Sequence, residues 1–234
     1  MTYILLSEKE WHKELFYNLK EKVKANWVLI DKKESFNYST LKKIKPSKIF
    51  IPHWSYIISE NIYTDFECIV FHMTDLPYGR GGSPLQNLIV RGHTETKISA
   101  LKVIEKLDAG EIYLKKNLSL EGTAQEIFVR SSQVIEEMII SIINDKITPK
   151  PQKGKETVFK RRKPSDGNIQ NLESSNKIYD YIRMLDADTY PPAFLETKYF
   201  KFEFTKANLQ SDQTIIANVR IIPKQKNTNS SSSS

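Results

Sequence analysis

Tyr3-Ile4-Leu5-Leu6-Ser7-Glu8-Lys9-Glu10-Trp11 opens the chain and decides its fold class. Four consecutive apolar residues are too few for a buried helix and suit a strand covered on both faces. Ser7 and Glu10 stand at the spacing of a capping box, in which a hydroxyl meets one free helix amide and a carboxylate reaches back to another. Behind them Trp11, Leu15, Leu19 and Val23 recur every four residues, so an amphipathic helix is expected directly after the strand. The alternation continues downstream. Residues 26–30 read as a second strand, 38–44 as a helix stopped by Pro46, 48–51 as a third strand and 67–71 as a fourth. Short apolar runs separated by helices indicate a mostly parallel sheet with helices on both faces. The expected class is α/β, with a Rossmann-like layout.

Beyond that region, residues 85–91 suit a short helix, while 97–106 are ambiguous because Ile98, Leu101 and Ile104 also fit a helix face. Asp108-Ala109-Gly110 marks a turn before an alternating strand at 111–116. Thr123 and Glu126 form a second capping-box pattern. It opens a long helix whose apolar face carries Ile127, Phe128, Ile135, Met138, Ile139, Ile142 and Ile143. The expected organisation is a catalytic domain over 1–148, a proline- and lysine-rich basic linker over 149–165, a small α+β extension over 166–226 and a disordered tail over 227–234. Within the extension, 177–185 reads as a helix, and 199–204 and 214–222 alternate like two strands that pair. The aromatic strand at 199–204 also suggests a homodimer edge.

Composition narrows the function classes. The 234 residues carry a formal charge of +7, and eight Lys/Arg against two acids fall between 145 and 165, a local excess of six. That stretch is either a solvated linker or a strip for phosphates. The longest aliphatic run, 138–143, is far short of the roughly 20 residues that span a bilayer. Glu8, Lys9 and Glu10 interrupt the apolar start, so no signal peptide and no membrane attachment are expected, and the location expected is cytoplasmic. Cys68 has no second cysteine to pair with, and with four scattered histidines it makes no zinc spacing, so no metal is expected. The first strand is followed by no glycine fingerprint, and Gly79-Arg80-Gly81-Gly82-Ser83 lacks the Gly-Lys-Ser/Thr ending of a P-loop, which argues against NAD and ATP.

The chemistry-bearing stretch runs from Cys68 to Pro84. His72 leaves a strand at its carboxyl end, where open α/β sheets bind ligands, although a histidine there is also at home as a packed residue. His72, Thr74-Asp75-Leu76-Pro77, Arg80-Gly81, Pro84 and Leu107-Asp108-Ala109-Gly110 form an ordered set, with His72 and Asp108 36 positions apart. That set resembles the folate-dependent formyltransferase family, whose loop runs Asn-any-His, Ser-Leu-Leu-Pro, Arg-Gly and Pro before a later Leu-Asp-any-Gly. The resemblance is strong over 47–116 and weaker to about 204.

The resemblance implies 10-formyltetrahydrofolate as donor, with no metal and no NAD. It makes His72 and Asp108 catalytic: His72 polarises the formyl oxygen or relays a proton, and Asp108 orients the histidine and accepts the amine proton. It places Trp54, Ser55, Tyr56, Thr74, Leu76 and Pro77 at the folate. One departure stands out, since the family asparagine is Val70 here. Valine offers no N–H to a developing oxyanion, so Thr74, Asp75 or a backbone N–H takes over, or activity is lost. Asp75, where the family has leucine, is expected to contact the acceptor amine or to rearrange the site.

Among the family's acceptors, the expectation is a nucleotide-linked amino sugar, such as a dTDP-4-amino-4,6-dideoxyhexose, for surface glycan, O-antigen and lipopolysaccharide biosynthesis. The segment from Lys160 to Gly167, Arg183 with its helix, and Tyr190-Pro191-Pro192-Ala193-Phe194 resemble parts of sugar N-formyltransferases. Arg80, Gly81, Arg161, Arg162, Arg183 and Tyr190 are then the acceptor-binding candidates, since guanidinium groups grip a pyrophosphate well. Methionyl-tRNA is the alternative, with the narrow basic strip and the short stretch after the linker weighing against nucleic acid. A second alternative is a non-catalytic relative that binds folate or nucleotide sugar, suggested by Val70.

Overall fold

The computed structural model describes residues 1–224, so the tail expected at 227–234 lies outside the described residues. The chain forms two compact units, the first from Met1–Glu121 and Glu126–Arg161, the second from Gly122–Gln125 and the chain from Arg162 onward.

In the first unit the elements follow in the order β1 (Thr2–Ser7), α1 (His12–Lys22), β2 (Asn26–Ile30), α2 (Tyr38–Ile44), β3 (Lys48–His53), α3 (Glu60–Asp65), β4 (Cys68–His72), β5 (Arg80–Gly81), α4 (Pro84–Val90), β6 (Glu95–Lys102), β7 (Ile112–Ser119), α5 (Ala124–Asn144) and β8 (Val158–Phe159). The main sheet has the order β2-β1-β3-β4-β6-β7. Pairing is parallel from β2 through β4 and antiparallel across β6 and β7. Strand alternation explains why both faces are apolar. Ile4 and Leu6 join Ile49, Ile51, Ile62 and Cys68 in one cluster, while Tyr3 meets the rings of Trp27 and Phe50. The chain leaves β1 toward β2 and returns across it to β3, the switch point beyond which such sheets bind ligands.

One local expectation is corrected and two open readings gain a structure. Ser7 is the last residue of β1 and caps nothing: its hydroxyl meets His12 Nδ1 at 2.7 Å, and α1 starts behind Trp11 with no side-chain cap. Trp11 instead stacks flat on Phe128 of α5. The ambiguous stretch 97–106 supplies a strand, because β6 finds partners on both edges in β4 and β7 and tertiary pairing overrides its helix-like spacing. The basic stretch after α5 is bound along this unit: Lys150 exchanges both backbone hydrogen bonds with Ile112, and β8 pairs with β5.

The second unit contains α6 (Ser175–Arg183), β9 (Ala193–Glu196), β10 (Phe200–Leu209) and β11 (Ile215–Pro223). Its sheet is antiparallel in the order β11-β10-β9, and the two strands read from alternation do pair, Phe202 opposite Ile221 and Phe204 opposite Val219. β9 begins directly after the Tyr190-Pro191-Pro192 turn and is too short to show a period. Ile169, Ile182 and Ala193 form the buried centre. Among the described residues no helix is long and apolar enough to cross a membrane.

Candidate functional site

β4 is held on one edge by β3 and on the other by β6, which fixes His72 at the carboxyl end of the sheet. His72 is buried, and its Nε2 lies 2.8 Å from the Gly79 carbonyl oxygen. A carbonyl only accepts, so Nε2 carries the hydrogen. Nδ1 is left facing Asp108, 3.7 Å from Oδ2, beyond a direct hydrogen bond but well within Coulombic reach. The histidine therefore offers one nitrogen for proton exchange, next to a carboxylate able to stabilise the imidazolium.

The loop that makes this possible depends on glycine. Gly79 has φ +77°, and a Cβ there would stand 2.7 Å from the Phe159 ring and 2.8 Å from the Thr74 methyl. Any side chain would push the carbonyl off His72. Thr74, fully buried, directs its hydroxyl to the same carbonyl at 3.4 Å. Ser99 of β6 pins the segment, donating to the Thr74 carbonyl at 2.7 Å and accepting the Leu76 N–H at 3.3 Å. Opposite, Asp108 sits in the left-handed region with φ 52°, its carboxylate accepting the Gly81 N–H at 2.9 Å. A Cβ on Gly110 would fall 1.8 Å from the Lys102 carbonyl oxygen, so the Leu-Asp-Ala-Gly turn needs its glycine for a close backbone approach.

The other expected residues are placed as follows. Val70 packs against the apolar cluster beneath the site. Asp75 turns to the lysines of β6 and β7, accepting from Lys97 at 2.9 Å and from Lys115. Burial by itself raises its carboxyl, but the hydrogen bonds from Lys115 and then Lys97 hold it below its ordinary value. Both of its oxygens are thus engaged by lysines. Trp54, Ser55 and Tyr56 follow β3. Trp54 meets Phe36 and Tyr56 edge-on, Tyr56 lies under Lys33, and Ser55 donates to Glu8. Tyr56 is 42% and Ile57 85% exposed, which gives this loop an open aromatic lip on the strand beside β4.

Arg80 is largely covered, its guanidinium bound to Gln152 and Glu156. Arg161 is exposed and packs its backbone against Gly82. The remaining acceptor candidates lie in the second unit. Arg162 donates to the Asp166 carbonyl at 2.7 Å and covers the Tyr181 ring. Arg183 is buried, bonded to Asp180 at 2.7 Å and to the Gly122 carbonyl at 3.0 Å, a structural placement. Tyr190 is half-buried in its turn. The structure brings His72, Thr74, Gly81 and Asp108 together, and leaves Asp75 and Arg183 committed elsewhere.

Sequence reasoning missed three residues. His12 and His53 stand near the ends of β1 and β3, and burial holds both neutral, His12 at about 3 and His53 at about 4, with Lys9 adding to the effect on each and each pushed further by a neighbouring cation or histidine. Neither falls in a recognisable spacing. Gln152 lies inside the basic stretch, where nothing in the sequence marks it.

Comparison with known proteins bears on the acceptor. The family of methionyl-tRNA formyltransferase C-terminal domains matches residues 164–222. Methionyl-tRNA formyltransferase of Thermodesulfovibrio yellowstonii is 32% identical over 159 residues, 64% of this chain and 50% of that protein, so the chain spans about half the length of such curated relatives. A solved structure of methionyl-tRNA formyltransferase from Clostridium thermocellum is 45% identical, with TM-score 0.93, over 96% of this chain and 100% of that one. A sugar N-formyltransferase from Shewanella shares only the fold, at 14% identity and TM-score 0.64 over 93% of this chain and 96% of that one.

These findings overturn the expected nucleotide-sugar acceptor, its surface-glycan role and the argument against nucleic acid. A short stretch after the basic strip does not exclude the tRNA enzymes, since the Clostridium thermocellum chain is matched over its whole length. The Arg183 and Tyr190 features fall inside the region matched by the tRNA-enzyme domain, and Arg183 is buried in structural bonds. They never distinguished a sugar from a tRNA. With its loop glycines, its His72–Asp108 pair and its match at 45% identity along almost its full length, the chain belongs to the folate-dependent formyltransferase family.

Proposed function

We propose that the protein transfers a formyl group from 10-formyltetrahydrofolate to the amino group of methionyl-tRNA. The observation that carries this reading is the 45% identity to the Clostridium thermocellum enzyme over almost the entire chain. The match of residues 164–222 to the C-terminal domain of the tRNA enzymes supports it.

The folate supplies the formyl group as an N10-amide ready for transfer. The half-exposed ring of Tyr56, the Trp54 edge and the fixed segment Thr74–Leu76–Pro77 fit a flat heterocycle with polar edges, and hold it beside β4. The amine must arrive neutral and lose a proton as its bond to the formyl carbon forms, while the nitrogen it displaces must gain one. His72 Nδ1 is the atom in this site free to take and return that proton, since Nε2 is committed to Gly79. Asp108, anchored by the Gly81 N–H, holds the charge that appears on the imidazole. Val70 removes the family's amide donor, so charge on the formyl oxygen falls to backbone N–H groups of the loop. For the acceptor, exposed Lys153, Lys155, Lys160 and Arg161 offer cations to tRNA phosphates.

The test is to incubate the protein with 10-formyltetrahydrofolate and methionyl initiator tRNA and to measure formylmethionine after deacylation. Formylmethionine that disappears in His72→Ala is the expected result. Its absence with folate bound and the tRNA intact would overturn the reading.

A further inference from the structure

We infer that Gln152 is a positioning residue for the formyl transfer, acting through the backbone of the Asp108 turn; this rests on the function proposed above. Its amide nitrogen donates twice, to the Asp108 carbonyl at 2.8 Å and to the Gly110 carbonyl at 2.9 Å. Its amide oxygen accepts twice from Arg80, from Nε at 3.2 Å and from Nη2 at 2.7 Å. One side chain thus uses both donors and its acceptor, and ties the turn that carries Asp108 to the strand that carries Arg80 and Gly81.

The arrangement matters because Asp108 has a strained backbone. An L-residue at φ 52° stays there only where its surroundings over-determine it. The Gly81 N–H holds the carboxylate and the Lys102 backbone crowds Gly110, but neither sets the orientation of the Asp108 and Gly110 carbonyls. Gln152 does, by converging one NH₂ group on both oxygens. Gln152 itself is fixed from behind: Lys150 is bonded to Ile112 of β7, and Thr157 exchanges backbone contacts with Pro77 and Arg80. The segment joining α5 to β8 therefore works as a brace. Without the amide donors the turn is free to relax toward ordinary φ, and the carboxylate moves relative to His72 Nδ1. An error of about 1 Å in such a pair costs on the order of 10²-fold in rate.

The decisive variant is Gln152→Glu. It keeps the shape and the acceptor for Arg80, removes the two donors and adds a negative charge. The expected result in the full chain is a fall in kcat of between about 10- and 100-fold. KM for 10-formyltetrahydrofolate and for methionyl-tRNA should stay within about threefold, since no binding group is touched. In an Asp108→Asn background the same change should cost less than about threefold, because the group being positioned is already gone. Should Gln152→Glu fail to fold by circular dichroism, Gln152→Met, which adds no charge, is read by the same criteria. A kcat within twofold of wild type, or an equal loss in both backgrounds, overturns the positioning role. A wild type that forms no formylmethionine overturns the functional reading and this inference with it, whereas an active wild type beside an active Gln152→Glu overturns this inference alone.

Discussion

The two units are built on opposite principles. In the first, the polar groups of the loop after β4 are buried and hydrogen-bonded: His72, Thr74 and Ser99 are each at most 7% exposed and each has a partner there. In the second, one buried cluster consists of Ile169, Ile182 and Ala193, and apolar side chains also line the outside, with Ile216 65% and Ile221 58% exposed on the edge strand β11. An open apolar hollow of about 510 Å³ lies there among Ile178, Ile182, Leu195, Phe204 and Val219. Proton transfer needs atoms held to fractions of an ångström, which only a dense, satisfied core provides. The match to methionyl-tRNA formyltransferase C-terminal domains, over residues 164–222, falls on that second unit. The difference is between a hydrogen-bonded loop that fixes polar groups in place and an open apolar surface.

The largest effect that would test this division is at His72. His72→Ala should lower formyl transfer by about 10³-fold while leaving the melting temperature within a few degrees. A loss of less than tenfold would mean that the chemistry does not reside in the first unit. Next comes Gly110→Ala, where the added carbon meets the Lys102 carbonyl oxygen. It should destabilise the protein by about 3 kcal/mol in urea denaturation, the upper end for overpacking. Ile216→Ser on the exposed edge of the second unit should change stability by less than about 0.5 kcal/mol. Equal costs at the two positions would erase the contrast.

How much of this was legible in the sequence follows the same line. The parallel strands could be read because both faces are buried, so every residue from Tyr3 to Leu6 is apolar. The aromatic strand of the second unit could be read because Phe200, Phe202 and Phe204 alternate with Lys201, Glu203 and Thr205 in the sequence itself. Residues 97–106 resisted because β6 owes its form to partners on both sides, which no local window contains. His72, Asp108 and the loop glycines were visible as an ordered motif. The ion pairs of Asp75 could not be read, since Lys97 and Lys115 lie on strands 22 and 40 positions away. Gln152 was invisible because its role depends on a brace closed 44 positions downstream of Asp108.

Acid stability offers a third way to sharpen the comparison, because all four histidines lie in the first unit. His12 is 3% exposed and held neutral down to about 3, chiefly by burial, then by His53 and Lys9. The unfolded chain binds a proton there from about pH 6.5, the folded one only near pH 3, so ν_U exceeds ν_N throughout that window. The stability contributed is complete above about 6.5 and is lost as pH falls, at up to about 1.4 kcal/mol per unit. His53, lowered to about 4, adds to the slope over the upper part of the window. Denaturation midpoints measured from pH 7 to 4 should fall, and His12→Asn should flatten the curve. An unchanged slope in that variant would show that His12 is not the titrating group.

The smallest expected effect bears on the acceptor itself. Lys155 and Arg161 are exposed on the stretch that braces the site in the first unit, whereas Lys198 is exposed in the second. A cation that meets a phosphate releases condensed counterions on binding, so removing it lowers the slope of log K against log salt by about one. Lys155→Ala and Arg161→Ala should each weaken methionyl-tRNA binding only a few-fold at moderate salt. Each should also reduce that slope, with folate affinity unchanged. Lys198→Ala serves as the counterpart. If it alone changes the slope, tRNA is gripped by the second unit and the basic stretch serves only as the brace for Asp108. If all three do, both units share the phosphates, and the first supplies acceptor contacts as well as the His72–Asp108 pair.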